Sequence, residues 1–508
     1  MRKWINEGFR VYYDYLHKRT LRYLSDPIRT QTNVLNELIQ SARTTEWGRL
    51  HQYQRIKTPD AFREQVAVQD YESLKPYIRR MMYGEKDVLW NGQVFLYSKS
   101  SGTTEDKSKF IPISRQNLRK CHIGGSWQTM MWFYHNRPDA RQFEYKSLVM
   151  GGSLHPFEPY PKTIIGDVSA HMIQRMPSVG KPFYTPDFKT ALMSDWEEKL
   201  ERMAQICARE DKMVMIGGVP TWTVILLRRI LEITGKENMM EVWPHFQGYI
   251  HGGVSFLPYR EQFEQFFPSE NVSYQEIYNA SEGFFATQNN FLDDGMLLLI
   301  NNGVFYEFIP IEEWGKASPE TVLLHEVERG KQYAMVISTN SGLWRYQLGD
   351  TVVFTSINPH KIKITGRTKQ FVNAFGEEVM VENTDKALAM TCKKFNAIVM
   401  EYTVAPIYLE GTNRGGHEWL IEFSIPPADI NAFSKDLDLN LQSLNSDYEA
   451  KRYKDIALQP LIINQLRPGT FHDWMRRRGK LGGQHKVPRL FNNRKYVDNL
   501  MDFIANNS

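Results

Sequence analysis

Apolar residues recur three and four positions apart through the first part of the chain, from Met1 to about Asn91, as in Gln31 to Ser41 and Ala61 to Val66, with Pro27, Pro59 and Pro76 interrupting the pattern. This predicts a helical entry region. Met1 to Asp26 mixes charged residues with Trp, Tyr and Leu at the same spacing, so it reads as a helix of the mature chain and not as a signal peptide. Beyond it, short β-rich runs (Val94 to Tyr97, Ser147 to Met150, Val214 to Ile216, Gly248 to Ile250, Ser273 to Ile277) alternate with helical runs at Leu118 to Tyr134 and Trp222 to Thr234. The alternation predicts an α/β fold. Gly151-Gly152, Gly217-Gly218 and Gly252-Gly253 follow predicted strands, where a backbone turns sharply or meets a ligand, and point to one shared cleft. From Met296 to Thr365 the pattern is strands and turns. From Asn373 to Ser508 it is a smaller α+β unit, with helices near Val381 to Lys394 and Ile430 to Leu444. The expected domains are 1–369 and 370–508, and no internal repeat or low-complexity segment interrupts them.

Composition narrows the class. A chain of 508 residues with 42% hydrophobic and 13% aromatic residues can bury at least two cores. Lys and Arg (62) exceed Asp and Glu (58) by only four, which gives no reason to expect a nucleic-acid or membrane partner. Cys121, Cys207 and Cys392 lie far apart without a CxxC pair, against a structural zinc site or disulfide framework and in favour of a reducing cytoplasm. The most apolar stretches, around Val224 to Leu227 and Met296 to Ile300, fall short of the roughly 18 residues a bilayer span requires, so a soluble chain is expected. Nothing in the sequence addresses oligomeric state.

Three segments carry candidate chemistry. Ser98 to Pro112 is a hydroxyl-rich loop with Gly102 at its centre, directly after a predicted strand. Backbone N–H groups and the hydroxyls of Ser100, Ser101, Thr103 and Thr104 can wrap phosphate oxygens while Lys109 supplies charge, which suits a triphosphate. It is not a Walker loop, since GxxxxGK[ST] is absent. The plain alternative is a solvated turn capping a helix. The second segment is Tyr278-Asn-Ala-Ser-Glu282. Ser281 can hold a phosphate oxygen, Glu282 a Mg²⁺ and Tyr278 can stack on a base, or the run is an ordinary helix N-cap. The third, Trp344 to Asp350 followed by Ile364 to Arg367, offers Asp350 to ribose hydroxyls and Arg367 to a ribose or phosphate oxygen; alternatively it is a hairpin with a surface Gly-Asp turn.

Together and in this order the segments resemble the adenylate-forming superfamily, and within it the Gretchen Hagen 3 family of acyl-acid amido synthetases. The family pattern SSGTTxGxxKxxP is met at Ser100, Ser101, Gly102, Thr103, Thr104, Lys109 and Pro112, with Asp106 in place of its second Gly. Its Y-x-S-S-E segment is met at Tyr278, Ser281 and Glu282, with Ala280 at the first Ser, and its R-Y-x-x-G-D segment at Arg345, Tyr346, Gly349 and Asp350. Phe305-Tyr-Glu-Phe308 and Gly483-Gln-His-Lys486-Val-Pro-Arg489 extend the likeness over most of the chain.

The resemblance implies a large N-terminal adenylate-forming domain of β-sheets flanked by helices, binding ATP, Mg²⁺ and the acyl acid. It implies a small mobile α+β C-terminal domain with a hinge near Lys369, and Lys486 as a cation acting in one half-reaction. The basic stretch Arg476, Arg477, Arg478, Lys480 and Arg489 leaves a solvated tail as the alternative for Lys486. The partners implied are a small carboxylic acid and an amino acid or other amine. An acyl pocket is expected along Trp127, Met131 and Trp132 and near Gly217 to Trp222 and His251 to Gly253, although Met and Trp at helical spacing also suit plain core packing. A CoA or carrier-protein ligase shares the adenylation motifs. A non-catalytic module binding RNA through Arg476 to Lys480 is the reading from another class.

Overall fold

Capping chemistry sets the helix starts. The Asp26 side chain accepts the Arg29 N–H and Pro27 opens the helix Pro27–Ala42; Thr58 and Pro59 do the same for Pro59–Gln65. Pro76 behaves differently from expectation, because the helix Tyr71–Met82 runs through it. An internal proline costs about 3 kcal/mol, whereas each large apolar side chain buried is worth roughly 1.5–3 kcal/mol. Tyr71, Leu74, Ile78, Met81 and Met82 are all buried on one face, and a capping box between Asp70 and Ser73 secures the start. Burial wins.

The computed structural model describes residues 2–100, 109–368, 371–372, 374, 377, 379–407, 415–452, 458–481, 486–491 and 493–506. By internal contacts the chain forms two compact units. The first comprises Met1–Val219, Ile225–Gly253 and Ser269–Lys363; the second comprises Pro220–Val224, Val254–Pro268 and Ile364–Ser508. The boundary expected at Lys369 lies outside the described residues. So do Asp106, and Gly483 to His485 of the C-terminal motif.

Among the described residues the largest sheet has twelve strands, and its two halves differ. Tyr184–Thr185, Lys146–Val149, Met213–Gly218, Gly248–His251 and Ser273–Asn279 are neighbours in parallel, with helical crossovers between them. Their run-on apolar sequences, such as the buried Met213 to Ile216, are those of strands covered on both faces. The rest of the sheet is antiparallel, from Phe284–Gln288 to the long pair Gln332–Thr339 and Tyr346–Ile357. A smaller four-stranded sheet carries the hairpin Leu96–Ser100 and Lys109–Ile113.

The helix predicted over Leu118 to Tyr134 is a π-helical turn, Asn117–Ile123, running into the α-helix Gly124–Asn136. Gly125 lets that helix approach the strand Phe284–Gln288, since a Cβ there would lie 2.5 Å from Phe284 Cγ. The carboxyl ends of Lys146–Val149, Met213–Gly218 and Gly248–His251 lie side by side, which gathers the three glycine pairs at one sheet edge. No described helix is long and apolar enough to cross a membrane.

In the second unit, Ile398–Ile407 and Gly416–Ile425 pair antiparallel and Ile462–Leu466 adds in parallel. Side chains alternate between two cores. Trp419, Ile421 and Phe423 pack with the helices Val381–Phe395 and Ile430–Leu444, while Leu420 and Ala405 pack with Thr470–Arg477 and Lys495–Ala505.

Candidate active site

The strand Leu96–Ser100 leads into the hydroxyl-rich loop and Lys109–Ile113 leads out, paired in register from Leu96 with Ile113 to Ser100 with Lys109. Ser101, Gly102, Thr103 and Thr104 lie outside the described residues. The described flanks of the loop are therefore the two arms of a β-hairpin. Behind the strand, a ring nitrogen of the buried His171 donates to Tyr97 O at 3.1 Å. Burial pushes the His171 imidazole down to about 4, and that of the fully buried His122 to about 3.

Tyr278 to Glu282 belongs to a second hairpin. Ser273–Asn279 and Phe284–Gln288 are joined by a tight turn in which Ala280 N–H donates to Gly283 O at 2.8 Å. No helix follows, so the N-cap alternative fails and the turn presents Ser281 and Glu282 instead. Ser98 Oγ donates to Ser281 Oγ at 3.0 Å, which ties the first motif to the second across 183 residues of chain. Both hydroxyls are buried. Tyr71, which sequence reasoning missed, adds a further tie: its hydroxyl accepts the Phe110 N–H at 2.8 Å, and Lys109 Nζ sits 5.6 Å from its ring centroid. Burial, and to a smaller degree the charges of Glu72 and then Glu282, raise the Tyr71 hydroxyl above its ordinary value. Glu282 itself is 8% exposed.

Asp350 corrects the picture of a surface Gly-Asp turn. Gly349 and Asp350 sit inside the strand Tyr346–Ile357, where the register shifts against Gln332–Thr339 and Gly349 takes φ +86°. Such a bulge re-aims a side chain, and only glycine adopts that φ without strain. Asp350 points inward and accepts from Tyr278 Oη at 2.6 Å. That bond ties the second motif to the third. The Tyr278 ring is 4% exposed and meets Phe285 edge-on at 5.1 Å, so it has no open face for base stacking; its hydroxyl orients Asp350.

Other members of the motifs turn out to be scaffold. Arg345 forms a buried two-pronged ion pair with Glu307, Nη2 to Oε1 at 2.8 Å and Nε to Oε2 at 3.0 Å. It also donates to Thr321 Oγ1, Arg63 O and Val66 O. Lys199, which the sequence did not single out, is 1% exposed and donates to Gly151 O at 2.6 Å and Gly152 O at 2.8 Å. Burial pushes its ammonium down to about 8. Gly152 has no room for a side chain, since a Cβ would meet Asp167 Oδ2 at 1.4 Å.

On the helix Gly124–Asn136 the expected acyl-pocket residues divide between a core cluster and a cavity wall. Met131 and Trp132 are buried in a core cluster, as the packing alternative has it. Trp127 lines a cavity of about 910 Å³ with Tyr23, Trp90, Arg119 and Gln128. Arg367 closes the strand His360–Arg367 and Lys486 is half-buried ahead of Arg489; both belong to the second unit. Among the described residues, no group of three His, Cys, Asp or Glu side chains is placed to hold a metal ion by itself.

The fold is one shared with ligases that activate acids. It matches the GH3.15 acyl acid amido synthetase with a TM-score of 0.78 at 17% identity, covering 97% of this chain and 96% of that one. It matches 2-hydroxyisobutyryl-CoA ligase in the postadenylation state at 0.61 and 12% identity, covering 95% and 92%. The chain belongs to the GH3 family: the family's N-terminal domain matches residues 16–208 and 189–272, its central domain 297–367 and its C-terminal domain 382–495. Indole-3-acetic acid-amido synthetase GH3.4 of Arabidopsis thaliana is 23% identical over 548 aligned residues, covering 91% of this chain and 89% of that protein.

Proposed function

We propose that this GH3-family chain is an ATP-dependent acyl-acid amido synthetase, a ligase that adenylates a carboxylic acid and transfers the acyl group to the amine of an amino acid. The carrying observation is the pair of hydrogen bonds Ser98–Ser281 and Tyr278–Asp350, which joins three motifs far apart in sequence. Family membership and a relative named for amide formation favour the amine acceptor.

In the first half-reaction a carboxylate oxygen bonds to the α-phosphorus of ATP, and the bond from that phosphorus to the bridging oxygen breaks, releasing pyrophosphate. The protein aligns two anions and neutralises their charge. Ser100 to Thr104 and Lys109 hold the β- and γ-phosphates, Ser281 the α-phosphate, and Asp350, oriented by Tyr278, the ribose together with Arg367. Glu282 suits Mg²⁺ as a single carboxylate in a tight turn beside a phosphate-binding hydroxyl, because Mg²⁺ on nucleotides takes one or two carboxylates plus phosphate oxygens. When bound, Mg²⁺ supplies charge neutralisation on the phosphates. In the second half-reaction the amine nitrogen bonds to the acyl carbon, the carbon–oxygen bond to AMP breaks, and the amine loses a proton. Lys486 stabilises carboxylate and phosphate in one of the two. Residues 1–369 form the domain that binds ATP and acid, and 370–508 the one that delivers Lys486.

Pyrophosphate release is measured over a panel of acids beginning with indole-3-acetate, followed by mass analysis with amino acids and with CoA offered separately. The expected product is an amide. The likeness to 2-hydroxyisobutyryl-CoA ligase makes a thioester the second reading, and thioester product alone would reject the amide assignment.

A further inference from the structure

Arg489, three residues beyond Lys486, is the centre of a buried charged cluster in the second unit. Its Nη1 donates to the Glu401 carboxylate and to Tyr402 O at 3.3 Å, and its Nη2 donates to Tyr259 Oη at 2.5 Å. The guanidinium lies 4.4 Å from the Tyr402 ring centroid. Tyr259 Oη in turn donates to Met400 O at 3.2 Å, and Tyr402 Oη donates to Asp385 at 2.6 Å. Every one of these residues belongs to the second unit, Tyr259 included, since Val254–Pro268 groups with it.

The main chain on either side is pinned to the same strand, Ile398–Ile407. Thr403 Oγ1 donates to Pro488 O at 2.7 Å, Val404 N–H to Arg489 O at 2.8 Å, and Phe491 N–H to Val404 O at 3.3 Å. Burial raises the Glu401 carboxyl to about 7 even against the pull of Arg489. Placing one guanidinium and two carboxylates in a core is costly, and a well-packed apolar trio would serve stability as well or better. What the charged cluster adds is one permitted geometry for the strand-bound segment, and Lys486 is attached to its amino-terminal end.

We propose that Arg489 is a positioning residue for Lys486, with Glu401, Tyr402 and Tyr259 forming a clamp that fixes the segment carrying the lysine. The proposal rests on the role given to Lys486 above. A lysine that serves only one half-reaction must reach its target without a search, and a misplacement of about 1 Å can cost on the order of 100-fold.

The test uses full-length wild type, R489K, Y259F, K486A and K486A/R489K. Hydrogen exchange is followed at residues 487–491 and, as a control, in the strand Gly416–Ile425; pyrophosphate release is followed with the best acid of the panel. For R489K the expected result is exchange about 10-fold faster at 487–491 with the control strand unchanged, and kcat lower by about 10- to 100-fold with KM for ATP nearly constant. The double variant should be no slower than K486A, because coupled residues do not add. Y259F removes one acceptor while keeping the packing, and should show the same changes in smaller measure if R489K does not fold. Unchanged exchange at 487–491 in folded variants, or a double variant whose losses multiply, would overturn the clamp while leaving the functional reading standing. No pyrophosphate release by the wild type with any acid would overturn both.

Discussion

Arg345 and Asp350 sit five residues apart in one motif, yet the proposed function gives them different work. The Arg345 guanidinium is saturated by Glu307, Thr321 and two main-chain carbonyls. Removing one partner of a buried pair leaves an uncompensated charge and costs roughly 3–5 kcal/mol. Glu307→Gln should therefore lower stability by about that amount in urea unfolding; a change below about 1 kcal/mol would show that the pair is not as enclosed as its geometry indicates. Asp350 is buried and accepts from Tyr278 Oη at 2.6 Å, and in the proposed function its carboxylate meets the ribose hydroxyls. Asp350→Asn should raise KM for ATP by about 10-fold or more, on the scale of a hydrogen bond to a charged group, with little loss of thermal stability. The reverse outcome, an unfolded variant with ATP affinity intact, would make Asp350 scaffold as well. From letters alone the two roles are indistinguishable, because Arg-Tyr-Gln-Leu-Gly-Asp reads the same whether its charges face a ligand or a core.

At the scale of elements, the hairpin Ser273–Asn279 and Phe284–Gln288 and the helix Gly124–Asn136 must pack closely for Ser281 to reach Ser98. Gly125 permits that approach. Gly125→Ala would drive a Cβ to 2.5 Å from the Phe284 side chain, and the overpacking should cost about 1–3 kcal/mol. Gly252→Ala would bring a Cβ to 2.5 Å from the main-chain oxygen of Ile277, which cannot rotate away, so its loss should be larger. Thermal melts of both rank the two sites, and equal melts would contradict this packing argument. Element type was largely legible: β-rich runs predicted at Val214 to Ile216 and Ser273 to Ile277 became Met213–Gly218 and Ser273–Asn279, and the helix expected over Ile430 to Leu444 is Ile430–Leu444. Pro76 misled because local chain breaking was outweighed by a buried face that only the fold reveals. The bulge at Gly349 was hidden for a related reason, since Gly-Asp suits a turn as well as a kinked strand.

For the whole molecule, the three motifs were readable by residue type, while what joins them was not. Ser98 to Ser281 and Tyr278 to Asp350 are contacts across long stretches of chain, and no local pattern announces Tyr71, Lys199 or the Arg489 cluster. Acid sensitivity is another whole-molecule property. His122 and His171 have folded-state values pushed below the ordinary 6.5, so the unfolded chain binds more protons between about 3 and 6.5. Their contribution to stability is complete above 6.5 and is lost as pH falls towards 4 and 3. His122→Asn should consequently flatten the fall in melting temperature between pH 6.5 and 4; an unchanged slope would place the acid sensitivity elsewhere.

The central claim is that Ser98, Ser281, Glu282, Tyr278 and Asp350 build one nucleotide site at which a carboxylic acid is activated. Acid-dependent exchange of labelled pyrophosphate into ATP reads that step alone, without the amine. Wild type should exchange only with Mg²⁺ and a suitable acid present, Glu282→Gln should lose about 100-fold or more, and Tyr278→Phe should lose less than Asp350→Asn. Exchange that ignores the acid, or that survives Glu282→Gln at the wild-type rate, would contradict the account.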